Sequence, residues 1–177
     1  MRLFIAINLC EKVKLKLIEA QNYLKKYSVY GNFTAPENLH LTLVFLGEIE
    51  NGQIDEIRNA IDKISIKPFK ICINALGRFK KDGGDIWWLG IKHSPSLIKL
   101  QKELLINLQE IGFNFSDKFS PHITIARQTS LRKDFDKDSF NNNFGNVYSE
   151  VNKISLMEST KPMDKIIYTE VYSKILT

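Results

Sequence analysis

Hydrophobic and polar positions change period several times along the chain, and each change marks an element. Leu3 to Leu9 is a near-continuous β-rich run, as in a strand buried on both faces. From Lys12 to Tyr27 the residues Val13, Leu17, Ala20, Leu24 and Tyr27 recur at alternating spacings of four and three. That predicts one stripe of an amphipathic helix, with lysines and Glu19 on the wet face. Gly31 to Asn38 is polar and reads as a connection. Leu39 to Leu46 returns to strand character and is closed by Gly47. Asn51 then predicts the cap of a second helix bearing Ile54, Ile57, Ile61 and Ile64 on one face. Pro68 to Leu76 and Asp85 to Ile91 predict a hairpin joined by a basic turn from Gly77 to Gly84. Ser94 as cap, Pro95 at the first helical position and a stripe of Leu97, Leu100, Leu104, Leu108 and Ile111 predict a third helix, stopped by Gly112. Phe113 to Ser120 is a connection and Pro121 to Arg127 a strand. Arg132 to Gly145 is a polar loop or a short irregular helix. Val147 to Met157 and Lys165 to Leu176 end the chain as strands.

The order strand, amphipathic helix, polar connection, strand occurs twice. Thirty-three positions separate Ile7 from His40, and 31 separate Ile91 from His122. Such a repeat predicts two similar lobes about an approximate two-fold axis, with the strands 39–46 and 121–127 facing each other at the centre. No linker rich in Pro, Gly or Ser divides the halves, so residues 1–177 are expected to form one bilobal domain.

Composition changes this picture little. The 177 residues are 44% hydrophobic and 25% charged, as expected of a globular domain that buries a sizeable core. A net charge of +5 leans towards anionic partners, although solubility alone also accounts for it. Cys10 and Cys72 have no metal-ligand spacing around them, and so few cysteines suit a reducing compartment. No apolar run reaches membrane-span length. The run from Met1 to Cys10 is interrupted by Asn8, lacks a small-residue cleavage site and reads as a strand rather than a signal peptide. A cytoplasmic protein with no membrane partner is expected.

The chemistry is concentrated in two short stretches. Leu39-His40-Leu41-Thr42-Leu43 and Pro121-His122-Ile123-Thr124-Ile125 share the pattern apolar-His-apolar-Thr-apolar, and they hold two of the three histidines. Alternation in a strand sends the aliphatics to a core and presents His and Thr together on the other face. One such pair arises readily by chance on a solvated strand. Two in equivalent places, each after a helix and a polar connection, make a site that can bracket a small anion. Imidazole titrates near neutrality, so one neutral ring can take a proton while a second, protonated, gives one. Threonine hydroxyls add donors for phosphate oxygens. No carboxylate or cysteine stands at ligand spacing beside either stretch, so no metal is expected.

Three segments carry a resemblance: residues 1–7 (MRLFIAI), 36–48 (PENLHLTLVFLGE) and 119–127 (FSPHITIAR). Together they resemble the two-histidine (2H) phosphoesterases, most closely the bacterial and archaeal RNA 2',3'-cyclic phosphodiesterases, also called 2'-5' RNA ligases. The resemblance spans nearly the whole chain. It implies an α+β fold in which two antiparallel sheets line a central cleft with helices outside. It also implies metal-independent, cofactor-free opening of RNA 2',3'-cyclic phosphate ends to 2'-phosphates. His40 and His122 match the catalytic pair, Thr42 and Thr124 the phosphate-contacting threonines, and Arg127 the arginine after the second motif. By resemblance His40 is the proton donor and His122 the acceptor; the residues alone leave that assignment open. Strict alternation points Arg127 away from His122 and Thr124, so Arg127 is expected at a strand end or bulge. Phe33-Thr34 departs from the Trp-Val common in the family and is expected to alter packing beside the cleft.

Other residues are read more plainly. His93 is expected on the surface. Trp87 and Trp88 are consecutive, so one is expected in the core and the other at the cleft wall. Phe79, Lys80 and Lys81 suit RNA contact through stacking and phosphate pairing, or simply form a solvated basic turn. Two further functions fit the same residues: a 2H phosphodiesterase acting on a small cyclic nucleotide or ADP-ribose cyclic phosphate, and a non-catalytic RNA-binding module. The expected partners are RNA ends or nucleotides bearing a 2',3'-cyclic phosphate, and the expected state is a monomer.

Overall fold

Nine strands and four α-helices fill the computed structural model, which describes residues 1–115 and 118–177. The first strand, β1 (Arg2–Asn8), is followed by α1 (Glu11–Tyr27), and the predicted stripe of Val13, Leu17, Ala20 and Leu24 is buried. β2 (Ser28–Phe33) leads to a 3-10 turn at Pro36–Asn38 and then β3 (His40–Glu48). α2 (Ile54–Asp62) precedes the hairpin of β4 (Phe69–Phe79) and β5 (Asp85–Ile91). α3 (Pro95–Gln109), β6 (His122–Leu131), α4 (Lys137–Phe144), β7 (Val147–Val151), β8 (Lys153–Thr160) and β9 (Ile167–Ile175) complete the chain. Ser94 caps α3 as expected, accepting from the Leu97 N–H at 3.3 Å, and Gly112 adopts the positive φ that favours glycine beyond the helix end. The predicted connection from Phe113 to Ser120 is without helix or strand on both sides of residues 116 and 117, which lie outside the described residues.

All strand pairs are antiparallel, in two sheets. The first has the order β3-β1-β8-β9 and the second β2-β6-β5-β4-β7. The repeat is carried in the register. Asn8 faces His40 across the first sheet and Gly90 faces His122 across the second, a separation of 32 positions in both halves. Each crossover helix covers the opposite sheet: α1 leaves β1 but packs on β6 and β7, while α3 leaves β5 but packs on β3 beside α2. One continuous core therefore joins both sheets, from Leu3, Ile5 and Ile7 through Leu104 and Leu108 to Ile123 and Ile125.

Four local expectations need correction. Residues 28–33 form a strand that pairs with β6; it is an edge strand with exposed side chains, so it shows no alternation. Asn51 does not cap α2, because a 3-10 turn at Asn51–Gln53 intervenes and Gln53 takes the cap position. Gly77, Arg78 and Phe79 belong to β4 rather than to the turn, since Gly77 pairs with Trp88 and Phe79 with Ile86. Finally, Val147 to Met157 is two strands in different sheets, separated at Asn152.

Candidate active site

β3 and β6, the two motif strands, adjoin where the sheets meet. Leu41, Leu43, Ile123 and Ile125 enter the core, which leaves His40, Thr42, His122 and Thr124 on the other side, all half-buried. The rings are held by the same device. His40 Nδ1 lies 2.7 Å from the Asn38 carbonyl and His122 Nδ1 lies 2.7 Å from the Ser120 carbonyl, in each case two residues upstream. A carbonyl only accepts, so Nδ1 carries the proton and donates it. Nε2 is thereby left as the working nitrogen of each ring. His40 Nε2 sits 2.9 Å from Thr42 Oγ1, whose hydroxyl donates to it in the neutral form.

A bulge follows each motif threonine. The β1–β3 register slips between Ile5, opposite Val44, and Ala6, opposite Thr42; the β5–β6 register slips between Trp87, opposite Ala126, and Trp88, opposite Thr124. Two consecutive aliphatics are buried at each slip, and the next residue returns to the face of the His and Thr. That residue is Phe45 in the first half and Arg127 in the second. Of the strand end or bulge expected for Arg127, the bulge is found, just before it between Thr124 and Ala126, while β6 runs on to Leu131; the exposed guanidinium bears on His40 electrostatically. Gln21, buried in α1, pins the second bulge by donating at 2.8 Å to the carbonyls of both Ile125 and Thr34. Thr34 Oγ1 in turn donates to the Thr124 carbonyl at 3.0 Å, which is what the departure at Phe33-Thr34 contributes.

Aromatic rings frame both imidazoles. Phe4 and Tyr168 stand 5.0 and 5.1 Å from His40, and Phe79 and Trp88 stand 5.2 and 5.8 Å from His122. Trp87 is in the core at 5% exposure and Trp88 on the cleft wall, as consecutive strand positions require. Phe79 thus reaches the site, whereas Lys80 and Lys81 remain exposed on the adjoining turn and His93 is exposed elsewhere. Phe4, Tyr168 and Phe45 were not singled out in the sequence; the equivalence of Phe45 and Arg127, each three positions after a motif threonine, was the available signal. The 1010 Å³ groove between α1, α4 and β7 holds none of the motif residues. Among the described residues no three His, Cys, Asp or Glu side chains gather as a metal site.

Trp88 lies flat because the sheet beneath it is glycine. A Cβ on Gly77 would overlap the six-membered part of the indole. Gly77→Ala is therefore expected to displace Trp88, disturb the wall of His122 and cost about 1–3 kcal/mol of stability. Denaturant unfolding and the ring-proton shifts of His122 check this.

Burial lowers the pKa of His40 from 6.5 to about 4, and the positive charges of Arg127 and His122 act in the same direction against the hydrogen bond to Asn38. His40 is thus neutral in the free protein at pH 7. The unfolded chain binds this proton near 6.5 and the folded protein only near 4. Stability therefore falls as pH drops from 6.5 towards 4, and His40→Gln is expected to flatten that slope in urea titrations.

A His-Thr pair on each of two adjoining strands, with an arginine beyond the second, is the arrangement expected of the two-histidine phosphoesterases. The family described as LigT like Phosphoesterase matches residues 7–88. The RNA 2',3'-cyclic phosphodiesterase of Thermotoga maritima is 33% identical over 97% of this chain and 94% of its own length, and that of Archaeoglobus fulgidus is 32% identical over 72% of each. The crystal structure of Escherichia coli LigT complexed with 3'-AMP superposes with a TM-score of 0.80 at 26% identity, covering 99% of this chain and 97% of that one. The chain belongs to the LigT-like phosphoesterases, the family of the RNA 2',3'-cyclic phosphodiesterases, and is an enzyme. Among the described residues no helix is long and apolar enough to cross a membrane.

Proposed function

We propose that the protein opens 2',3'-cyclic phosphates at RNA ends to 2'-phosphates, with His40 and His122 sharing the proton transfers. The observation that supports this most is the matched pair of imidazoles, each fixed through Nδ1 with Nε2 left to work. Thr42, Thr124 and Arg127 hold the non-bridging oxygens as charge shifts in the transition state. His122 Nε2 takes a proton from water as the water oxygen attacks phosphorus opposite the 3' oxygen. The bond from phosphorus to that oxygen breaks, and His40 Nε2 gives it a proton. The products are a 2'-phosphate and a free 3'-hydroxyl, and no covalent enzyme intermediate, metal or cofactor takes part. With an RNA 5'-hydroxyl in place of water, the same geometry forms a 2'-5' linkage.

The low pKa of His40 fits a donor loaded by its substrate. Burial is the main cause of that low value, and the bound phosphodiester anion favours the charged ring against it, so the proposed imidazolium forms with substrate in place. Phe79 offers a ring to RNA, and Lys80 and Lys81 offer charge on the exposed turn. Both motifs lie in one chain, so the proposed catalytic unit is a monomer. Turnover in EDTA of an oligonucleotide ending in a 2',3'-cyclic phosphate tests this reading. Activity on that end, exceeding activity on 3',5'-cyclic mononucleotides and ADP-ribose cyclic phosphate, is the expected result. Turnover of the small cyclic compounds alone would assign the site to them, and no turnover of any would favour a binding module.

A further inference from the structure

Both histidines lean on a carbonyl two residues upstream, but the residues that supply those carbonyls sit differently. Ser120 is exposed, whereas Asn38 is only 7% exposed and closes the 3-10 turn before β3. A buried amide side chain has an oxygen and an NH₂ group to satisfy. Asn38 Nδ2 donates at 2.9 Å to the carbonyl of Ile166, 128 positions later, while Oδ1 meets no donor among the described residues. An acceptor buried without a donor counts against folding, so an aliphatic side chain would suit stability better here. What the amide adds is the bond to Ile166. That residue stands just before β9 and two positions before Tyr168, whose ring meets His40 edge-on at 5.1 Å. The contacts close on themselves. The Asn38 carbonyl accepts from His40 Nδ1, His40 packs against Tyr168, and the backbone leading to Tyr168 is tied back to the Asn38 side chain. The connection before Ile166 passes through Met163 and Asp164 at φ of 46° and 62°, a left-handed conformation that persists only where the surroundings fix it. The Lys165–Glu37 ion pair beside it, at 3.6 Å between exposed side chains, fixes little.

We propose that Asn38 is the positioning residue of the first imidazole. Its side chain clamps the β8–β9 connection against the turn before β3, and so holds His40 with the proton on Nδ1 and Nε2 left for the reacting phosphate. Which nitrogen of a neutral histidine keeps the proton is set by the hydrogen bond that the other makes. When the Asn38 carbonyl drifts, that preference goes with it. His40 is neutral at pH 7, so its tautomer matters before substrate arrives. A misdirected Nε2 slows proton transfer and leaves phosphate binding to Thr42, Thr124 and Arg127. The β8–β9 connection belongs to the first sheet, so His122 in the second serves as the internal control.

The expected loss of turnover rests on the reading of the site as a phosphodiesterase centre, whereas the tautomer of His40 does not, and both are measured. Asn38→Leu keeps the length and branching of the side chain while removing the donor and the orphaned oxygen. Asn38→Ala removes the contact without added bulk. Long-range ¹H–¹⁵N spectra of ¹⁵N-histidine-labelled protein at pH 7 report the three rings, assigned with His40→Gln and His93→Gln. The Nδ1–H form of His40 is expected to prevail in the wild type and to give way to a mixture in both variants, while His122 keeps its spectrum. On an RNA 2',3'-cyclic phosphate end, kcat is expected to fall about tenfold with KM nearly unchanged, the factor that one neutral hydrogen bond supplies. An unchanged His40 tautomer, with any fall in kcat merely tracking a lowered urea midpoint, would overturn the clamp. So would an equal change at His122, or a shifted tautomer with unchanged kcat. The expected spectra, with no turnover of any cyclic phosphate by the wild type, would support the clamp and remove the assigned reaction instead.

Discussion

Replacing either His40 or His122 with alanine is expected to lower kcat by about 10²–10⁴-fold on a cyclic-phosphate RNA end, the range that general acid–base catalysis supplies. The double variant is expected to lose little more than the worse single one, because the two rings act on one transition state and their effects do not add. Binding of inorganic phosphate should survive in part in each single variant, since Thr42, Thr124 and Arg127 remain. The fold should also survive, because both rings are only half-buried and their aliphatic neighbours carry the core. Steady-state kinetics, with phosphate binding and circular dichroism alongside, check the set. A single variant retaining near-full kcat would remove that histidine from the chemistry.

The second large effect divides the two roles. A substrate in which sulfur replaces the 3' bridging oxygen departs as a thiolate, whose conjugate acid has a pKa of about 8.5, and needs no proton from the enzyme. The alanine variant of the proton donor is therefore expected to regain most of its lost rate on this substrate, by about 10²-fold or more, while the variant of the base stays slow. The proposed roles make His40→Ala the rescued variant. Rescue of His122→Ala instead would exchange the roles, and it would agree with a His40 that is neutral before substrate arrives.

Much of this site was legible in the chain because its strands obey simple rules. His40 and Thr42, and His122 and Thr124, alternate with aliphatics, so period two alone put each pair on one face away from the core. The helices were legible for the same reason, with Ser94 and Pro95 marking the start of α3 chemically. The repeat put the motif strands at the centre, and the matching separations across the Asn8–His40 and Gly90–His122 pairs carry it to the residue. What escaped was set by long-range partners. The exchange of α1 and α3 between sheets depends on how the lobes close, which no local period encodes. β7 and β8 read as one strand, since the step from one sheet to the other occurs at Asn152 within a run of strand-forming residues. Arg127 signalled a bulge because its placement conflicted with alternation. Phe45 gave no such conflict as an apolar residue in an apolar strand, and only its structural equivalence to Arg127 brings it to notice. Tyr168 and Glu170 reach His40 and Asn8 from the far end of the sequence, through the pairing of β9 with β8 and β8 with β1.

The central claim is that paired imidazoles transfer water's proton and open the cyclic phosphate at its 3' oxygen. The most direct measurement is the reaction of an oligonucleotide 2',3'-cyclic phosphate in ¹⁸O-labelled water with EDTA, with the product end identified by ³¹P NMR and mass spectrometry. The account predicts a 2'-phosphate carrying one labelled oxygen, with the signal absent in His40→Ala and His122→Ala. A 3'-phosphate end, or a 2'-phosphate formed equally well by both variants, would contradict it.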